Sequence, residues 1–200
     1  LMLHHGLRIG EAIALERDDV RVEHQPGAPL PRVTVRVKQN AQRISGKGGT
    51  YMLVQPPKTK AGYRDVPIMA ADVPIFLEHL EKYAPTSSTV VQTSEGERSA
   101  VLFTVTNAGR MVMDTSYRSV LARAKERAGV SPDIDPHTGR NWLITRLAEQ
   151  DAHLKEIGRL LGQDDVTTIL NVYLKVRAER TTSLMDKVSN TLEVEDDGTA

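Results

Sequence analysis

Pro136-His137-Thr138-Gly139-Arg140, followed by Leu160-Leu161-Gly162-Gln163 and, ten residues on, Tyr173, is the stretch that decides how this chain reads. Pro136 predicts a helix start, and the three-residue spacing of His137 and Arg140 puts both on one face of the first turn. The unsatisfied N–H groups and dipole of that turn favour an anion. A His-x-x-Arg pair alone is common and usually structural. Its meaning depends on what accompanies it.

What accompanies it is a set of residues suited to phosphoryl chemistry without a metal. Arg8 lies near the beginning, Lys58 and Lys60 follow a Pro-Pro pair, and Tyr173 closes the series. A planar guanidinium matches the oxygens of a phosphodiester in displacement better than an ammonium does, so Arg8 and Arg140 suggest a two-pronged clamp. A tyrosine hydroxyl, with an ordinary pKa of roughly 10, becomes an effective nucleophile only where neighbouring cations favour the phenolate.

The local phrases match a known family in the same order. Gly6-Leu7-Arg8-Ile9-Gly10-Glu11-Ala12 resembles the first arginine box of the tyrosine recombinases of the phage-integrase kind. The run from Pro57-Lys58-Thr59-Lys60 to Arg64-Asp65-Val66-Pro67 resembles their lysine-bearing β-hairpin, and the stretches quoted first resemble their second box. The resemblance spans residues 1 to about 180. It implies an α+β fold, a mainly helical catalytic domain with a small antiparallel β-sheet in the N-terminal third. It also implies a site-specific recombinase that cuts and rejoins double-stranded DNA through a 3′-phosphotyrosyl intermediate.

Under that resemblance Tyr173 is the nucleophile, Arg8 and Arg140 stabilise the transition state, and His137 assists as acid or base. Lys58 protonates the departing 5′ oxygen, with Lys60 as its alternative. Glu11, one turn after Arg8, either orients it or stabilises the helix. Gln163 stands where the family usually has histidine, sometimes tryptophan. It can donate a hydrogen bond but cannot carry a proton, so a retuned activity is expected. Thr138-Gly139 and Asn141 also depart from the family's usual residues. Two rival readings are a type IB topoisomerase, which by resemblance shares the site, and a DNA-binding relic without catalysis.

The bulk properties set bounds. At 200 residues and 40% hydrophobic content the chain suffices for one sizeable core. Without cysteine it has no disulfide and no thiolate metal site, and without a long apolar run or a signal-like start it reads as a cytoplasmic, nucleoid-associated protein. No metal or cofactor is expected, since one phosphodiester is exchanged for another. The formal charge is zero, but residues 189–200 hold Glu193, Glu195, Asp196 and Asp197 and no Lys or Arg. The remaining 188 residues then carry 26 basic residues against 22 acidic ones. Residues 1–188 are therefore read as an N-terminally truncated catalytic domain and 189–200 as a solvated acidic tail.

Patterning supplies the elements. An apolar face through Leu3, Leu7, Ile13 and Leu15 predicts one helix over residues 1–16, with Arg8 projecting from it. From Val20 to Ile68 the period is two, as in Val33, Val35 and Val37, which predicts strands. Helices are expected from Asp72 to about Tyr83, from an Asp114 cap to Gly129, from His137 to about Gln150, and over 153–161, 165–175 and 177–192. The intervening 85–99 reads as loop, and Trp142 as core. Leu184, Met185, Val188 and Leu192 fall at helical spacing. By resemblance that stripe docks on a neighbouring subunit of a homo-tetramer on DNA.

Overall fold

The computed structural model describes residues 1–46, 49–163, 167–178, 184–186 and 188–189. The chain is mixed α and β, with its strands in two small sheets within residues 20–100 and most of its helical residues after residue 113.

The N-terminal stretch forms two helices, α1 (Met2–His5) and α2 (Ile9–Ala14), rather than one. The break lies at Gly6, whose φ of +65° is left-handed, a conformation that L side chains rarely adopt. A side chain there would also strike Leu161 Cδ2 at 2.6 Å. Arg8 consequently sits at the N-cap of α2 in extended backbone instead of projecting from a continuous helix. The apolar periodicity that suggested one helix belongs to two short ones sharing a core.

Two sheets follow. β1 (Val20–Glu23), β2 (Arg32–Val37) and β5 (Arg64–Pro67) form an antiparallel sheet with β2 in the centre. β3 (Asn40–Gly46), β4 (Gly49–Gln55), β6 (Thr89–Thr93) and β7 (Gly96–Ala100) form the other, where β4 and β6 are parallel. The chain changes sheet at Lys38-Gln39, whose side chains are held by Glu16, Asp19 and the Ala14 carbonyl. β6 and β7 correct the expectation of a loop over 85–99. Their polar residues hide the strands, which pair with each other as a hairpin and join the sheet where β6 meets β4.

The expected lysine hairpin is corrected too. β4 and β5 lie in different sheets, and Pro56-Pro57 cannot donate to a ladder, so Lys58 and Lys60 occupy a connection between sheets. Lys60 opens a single tight turn through Gly62.

The helices match expectation closely: α3 (Val73–Lys82), α4 (Asp114–Ala128), α5 (Thr138–Glu149), α6 (Leu154–Leu161) and α7 (Thr167–Ala178). Gly129 and Gly162 end α4 and α6 in left-handed conformations, as a glycine C-cap should. Asp114 is the first helical residue of α4 rather than its cap, and α4 buries none of its side chains. Trp142 is not core: it is 38% exposed, with His4 packed beside its ring and the Arg146 guanidinium over it. Leu184, Met185 and Val188 of the expected stripe are exposed. Leu192, most of the expected 177–192 helix and nearly all of the acidic tail lie outside the described residues.

Three apolar clusters hold these elements. Val33, Val35, Val66, Phe76 and Phe103 join the first sheet to α3, while Ile13, Val54, Val91 and Leu102 join α2 to the second sheet. Leu143, Ile144, Ile157, Leu161 and Ile169 bind α5, α6 and α7 together. Leu160 packs against both the first cluster and the last. That places the end of α6 over the first sheet and beside α2.

Candidate active site

Where α2, β5, α5 and the end of α6 meet, three arginines converge. Arg140, 6% exposed, donates from Nη1 to the Gly6 carbonyl at 2.8 Å and from Nη2 to the Leu161 carbonyl at 2.7 Å. A further bond from Nη2 reaches Gln163 Oε1 at 3.0 Å. The left-handed turns at Gly6 and Gly162 present these carbonyls, and Gly139 lets α5 approach α1 so closely that a Cβ would collide with the Leu3 backbone. Burial pushes the Arg140 pKa down to about 10, and the charge of Arg8 pushes in the same direction. Glu11 opposes both. Arg140 nonetheless remains a cation at neutral pH.

Glu11 is the sole carboxylate ion-paired with this group among the described residues. It is 5% exposed and accepts from Arg8 Nη1 at 2.9 Å and from Arg64 at 3.1 and 2.9 Å. It also accepts the Arg8 backbone N–H at 2.8 Å, which closes the first turn of α2. Burial alone would raise its pKa, but the hydrogen bonds and charges of Arg64 and Arg8 outweigh that and hold it below the ordinary carboxylate value. Three guanidiniums thus surround one negative charge, leaving an excess of two positive charges at one place. The Arg8 side chain, 37% exposed, is the prong open to solvent.

Arg64 is the member that the sequence did not single out as a site residue. It lies in the lysine phrase and at strand spacing, so it reads as a surface residue of a hairpin. Its burial arises because α2 and α6 both pack against the end of β5.

The remaining predicted residues are placed as follows. His137 is exposed at the N-cap of α5, where its N–H and that of Thr138 are taken by Asp135 Oδ1 at 2.8 Å each. Asp135, not His137, is therefore the residue that closes the helix start. Tyr173 is half-buried on α7 and packs against the α5–α6–α7 cluster that contains Leu161, one residue from the turn carrying Gln163. Lys58 is exposed on the inter-sheet connection. Arg8, Arg140 and Gln163 are thus gathered directly. His137, Lys58 and Tyr173 stand on the elements that frame them.

Beside Gln163 runs an open groove of about 960 Å³ lined by Arg36, Lys38, Lys60, Lys155 and Arg159. Asp65 and Glu156 are its acids. Among the described residues Lys60, Lys155 and Arg159 form no ion pair. No group of His, Cys, Asp and Glu that could hold a metal ion occurs among the described residues, and His5 instead accepts from the Met69 N–H while His4 pairs with Asp72. No helix there is long and apolar enough to cross a membrane.

The chain is similar to the tyrosine recombinase XerD of Corynebacterium glutamicum, with 30% identity over 179 residues, which cover 90% of this chain and 47% of that one. A XerC-like tyrosine recombinase of Caldanaerobacter subterraneus subsp. tengcongensis is 29% identical, over 92% of this chain and 46% of its own length. The chain thus spans about half the length of the curated relatives it matches. In fold it is similar to the Tn1549 transposon integrase, solved in complex with circular intermediate DNA (TM-score 0.67, 21% identity, 90% of this chain and 57% of that one). The XerA recombinase shares the fold at a TM-score of 0.61 and 14% identity, over 91% of this chain and 53% of its own. A model of the phage integrase family matches residues 1–180, and the chain belongs to that family.

Proposed function

We propose that residues 1–188 form the catalytic domain of a site-specific DNA recombinase that cuts and rejoins strands through a 3′-phosphotyrosyl bond. The observation that carries this reading is the Arg8–Arg64–Arg140 cluster, whose three positive charges meet only Glu11 among the described residues. Such a surplus, partly buried and fixed by backbone carbonyls, is arranged before any ligand arrives, and that is what electrostatic stabilisation of a pentacoordinate phosphate requires.

In the proposed step the Tyr173 oxygen attacks the scissile phosphorus and the bond to the 5′ oxygen breaks. Lys58 gives the departing oxygen its proton, while His137 handles the phenolic proton. Arg8 and Arg140 take the charge on the non-bridging oxygens. Gln163, with its Oε1 on Arg140, presents its amide N–H groups as further donors. Attack by a 5′ hydroxyl of a partner strand reverses the step, so the energy of the phosphodiester is conserved. The groove lined by Lys60, Lys155 and Arg159 supports contact with the DNA backbone, which the Coulombic attraction of phosphates favours. The exposed Leu184, Met185 and Val188 support assembly as a tetramer on DNA, and the protein would act in the cytoplasm at the nucleoid.

Incubation with a nicked duplex, from which the cleaved 5′ fragment diffuses away, tests the reading. Accumulation of a protein–DNA adduct resistant to denaturant is expected. Salt-dependent DNA binding with no adduct on any duplex tried would overturn it.

A further inference from the structure

The Arg64 side chain makes four hydrogen bonds, and they join three separate parts of the chain. Its Nη1 and Nη2 grip both oxygens of Glu11 on α2 at 3.1 and 2.9 Å. Nη1 also donates to the Gly62 carbonyl, in the connection that carries the lysines, at 3.2 Å. Nε donates to the Leu160 carbonyl of α6 at 2.8 Å. The side chain is 4% exposed, so these bonds are made away from water. With all three guanidinium nitrogens engaged, Arg64 has little capacity left for an incoming phosphate.

Arg8 presents the opposite picture. Apart from its backbone N–H, which reaches Oε2, it shares Glu11 with Arg64 through one side-chain bond, Nη1 to Oε1, and the side chain remains 37% exposed. A buried carboxylate facing a single arginine would adopt the two-bond fork that such pairs prefer. Arg64 occupies that fork.

We propose that Arg64 is a positioning residue that holds Glu11 in a two-pronged grip and so keeps the outer face of Arg8 free for the scissile phosphate. Without Arg64, Glu11 turns its full negative charge on Arg8, draws the guanidinium inward and neutralises the open prong. The effect acts through Glu11, so removing that charge as well should release Arg8 again. This inference rests on the recombinase reading only for its kinetic consequence. The competition for Glu11 is a property of the cluster alone.

Two measurements on Arg64→Met and on the double variant Arg64→Met/Glu11→Gln decide it. The first is the rate at which phenylglyoxal modifies Arg8, followed by peptide mass spectrometry, which needs neither DNA nor activity. Arg64→Met should slow modification of Arg8 about tenfold, and the double variant should restore it to within about threefold of wild type. The second is single-turnover cleavage of the nicked duplex at saturating DNA. Arg64→Met should lose about 10²-fold or more in rate, the scale of removing one electrostatic group. Its DNA affinity should change less than threefold, and the double variant should recover at least tenfold of the lost rate. Arg64→Lys, which keeps the charge but not the fork, should fall between.

A purely structural role predicts something else: the double variant would be worse than the single one in both measurements, with lower affinity. That result, or unchanged Arg8 reactivity in Arg64→Met, overturns the proposal. Should wild type form no adduct, the recombinase reading fails and the modification arm alone decides the role of Arg64.

Discussion

Arg140 Nη2 donates to Gln163 Oε1 at 3.0 Å, and this bond fixes which way the glutamine amide faces. A guanidinium has no acceptor, so the oxygen must point at Arg140 and the amide N–H groups point away from it. A histidine at this position would have to be neutral to accept from Arg140 on one nitrogen while donating from the other. Gln163 does both without any proton equilibrium. The departure from the family's usual residue therefore preserves the geometry and removes a titration.

Replacing Gln163 with histidine should expose that difference. The Gln163→His variant is expected to cleave at or above the wild-type rate at pH 8 and to lose rate as the pH falls through about 6.5, where an imidazole protonates and can no longer accept from Arg140. Since His137 handles a proton in both proteins, the ratio of variant to wild-type rate isolates this added limb. Single-turnover rates between pH 5.5 and 8.5 provide the check.

Arg140 carries a structural load as well as a charge. In Arg140→Ala the Gly6 and Leu161 carbonyls lose their donor in a buried setting. The expected loss of stability is about 2–4 kcal/mol. Arg140→Lys keeps the cation but cannot reach three acceptors at once, so it should recover part of the stability and little of the cleavage rate. Urea unfolding of both variants, beside wild type, measures the first effect.

Glu11 couples the site to acid stability. Its folded pKa lies below the ordinary 4.5 because Arg64 and Arg8 stabilise the carboxylate against its burial. Its contribution to stability is then complete above about pH 4.5 and is lost as the pH falls toward the folded value, where the unfolded chain binds the proton first. Glu11→Gln should be less stable than wild type at pH 7, and its stability should decline less steeply below pH 4.5. Denaturant midpoints across pH 3–7 test the sign and the window.

The two lysines are separable by the chemistry of the leaving group. A substrate whose bridging 5′ oxygen is replaced by sulfur departs as a thiolate and needs no proton. Lys58→Ala should lose about 10²–10⁴-fold on the oxygen substrate, the range for a general acid, and regain most of it on the sulfur one. Lys60→Ala, whose residue lines the groove, should instead weaken DNA binding and show no sulfur rescue. Reversal of the two behaviours would assign the acid to Lys60.

Much of this was legible in the sequence because the relevant signals are local. Gly129 and Gly162 end helices where their φ freedom is needed, and Asp72 opens α3 as predicted. Most of what escaped depends on contacts distant in the chain. The division of residues 1–16 at Gly6 answers to Leu161 and Arg140. The hairpin over 89–100 is local, but its polar residues carry no apolar alternation to reveal it. Trp142 reads as core by type alone, yet α5 turns it outward beside His4. Arg64 could be suspected only by asking what neutralises a buried Glu11, since nothing in its immediate neighbours announces burial. Of the candidate site, the residue types, their order and the pairing of Glu11 with Arg8 were evident, and the second arginine that Glu11 binds, Arg64, was not.

Covalent attachment of Tyr173 to DNA beside the arginine cluster, as proposed, is read out by peptide mapping of the trapped adduct. Nuclease-trimmed adduct from the nicked duplex should yield one modified peptide, bearing a 3′-linked nucleotide on Tyr173, and Tyr173→Phe should yield none while binding DNA normally. A nucleotide on any other residue, or an adduct that persists in Tyr173→Phe, would rule out Tyr173 as the nucleophile.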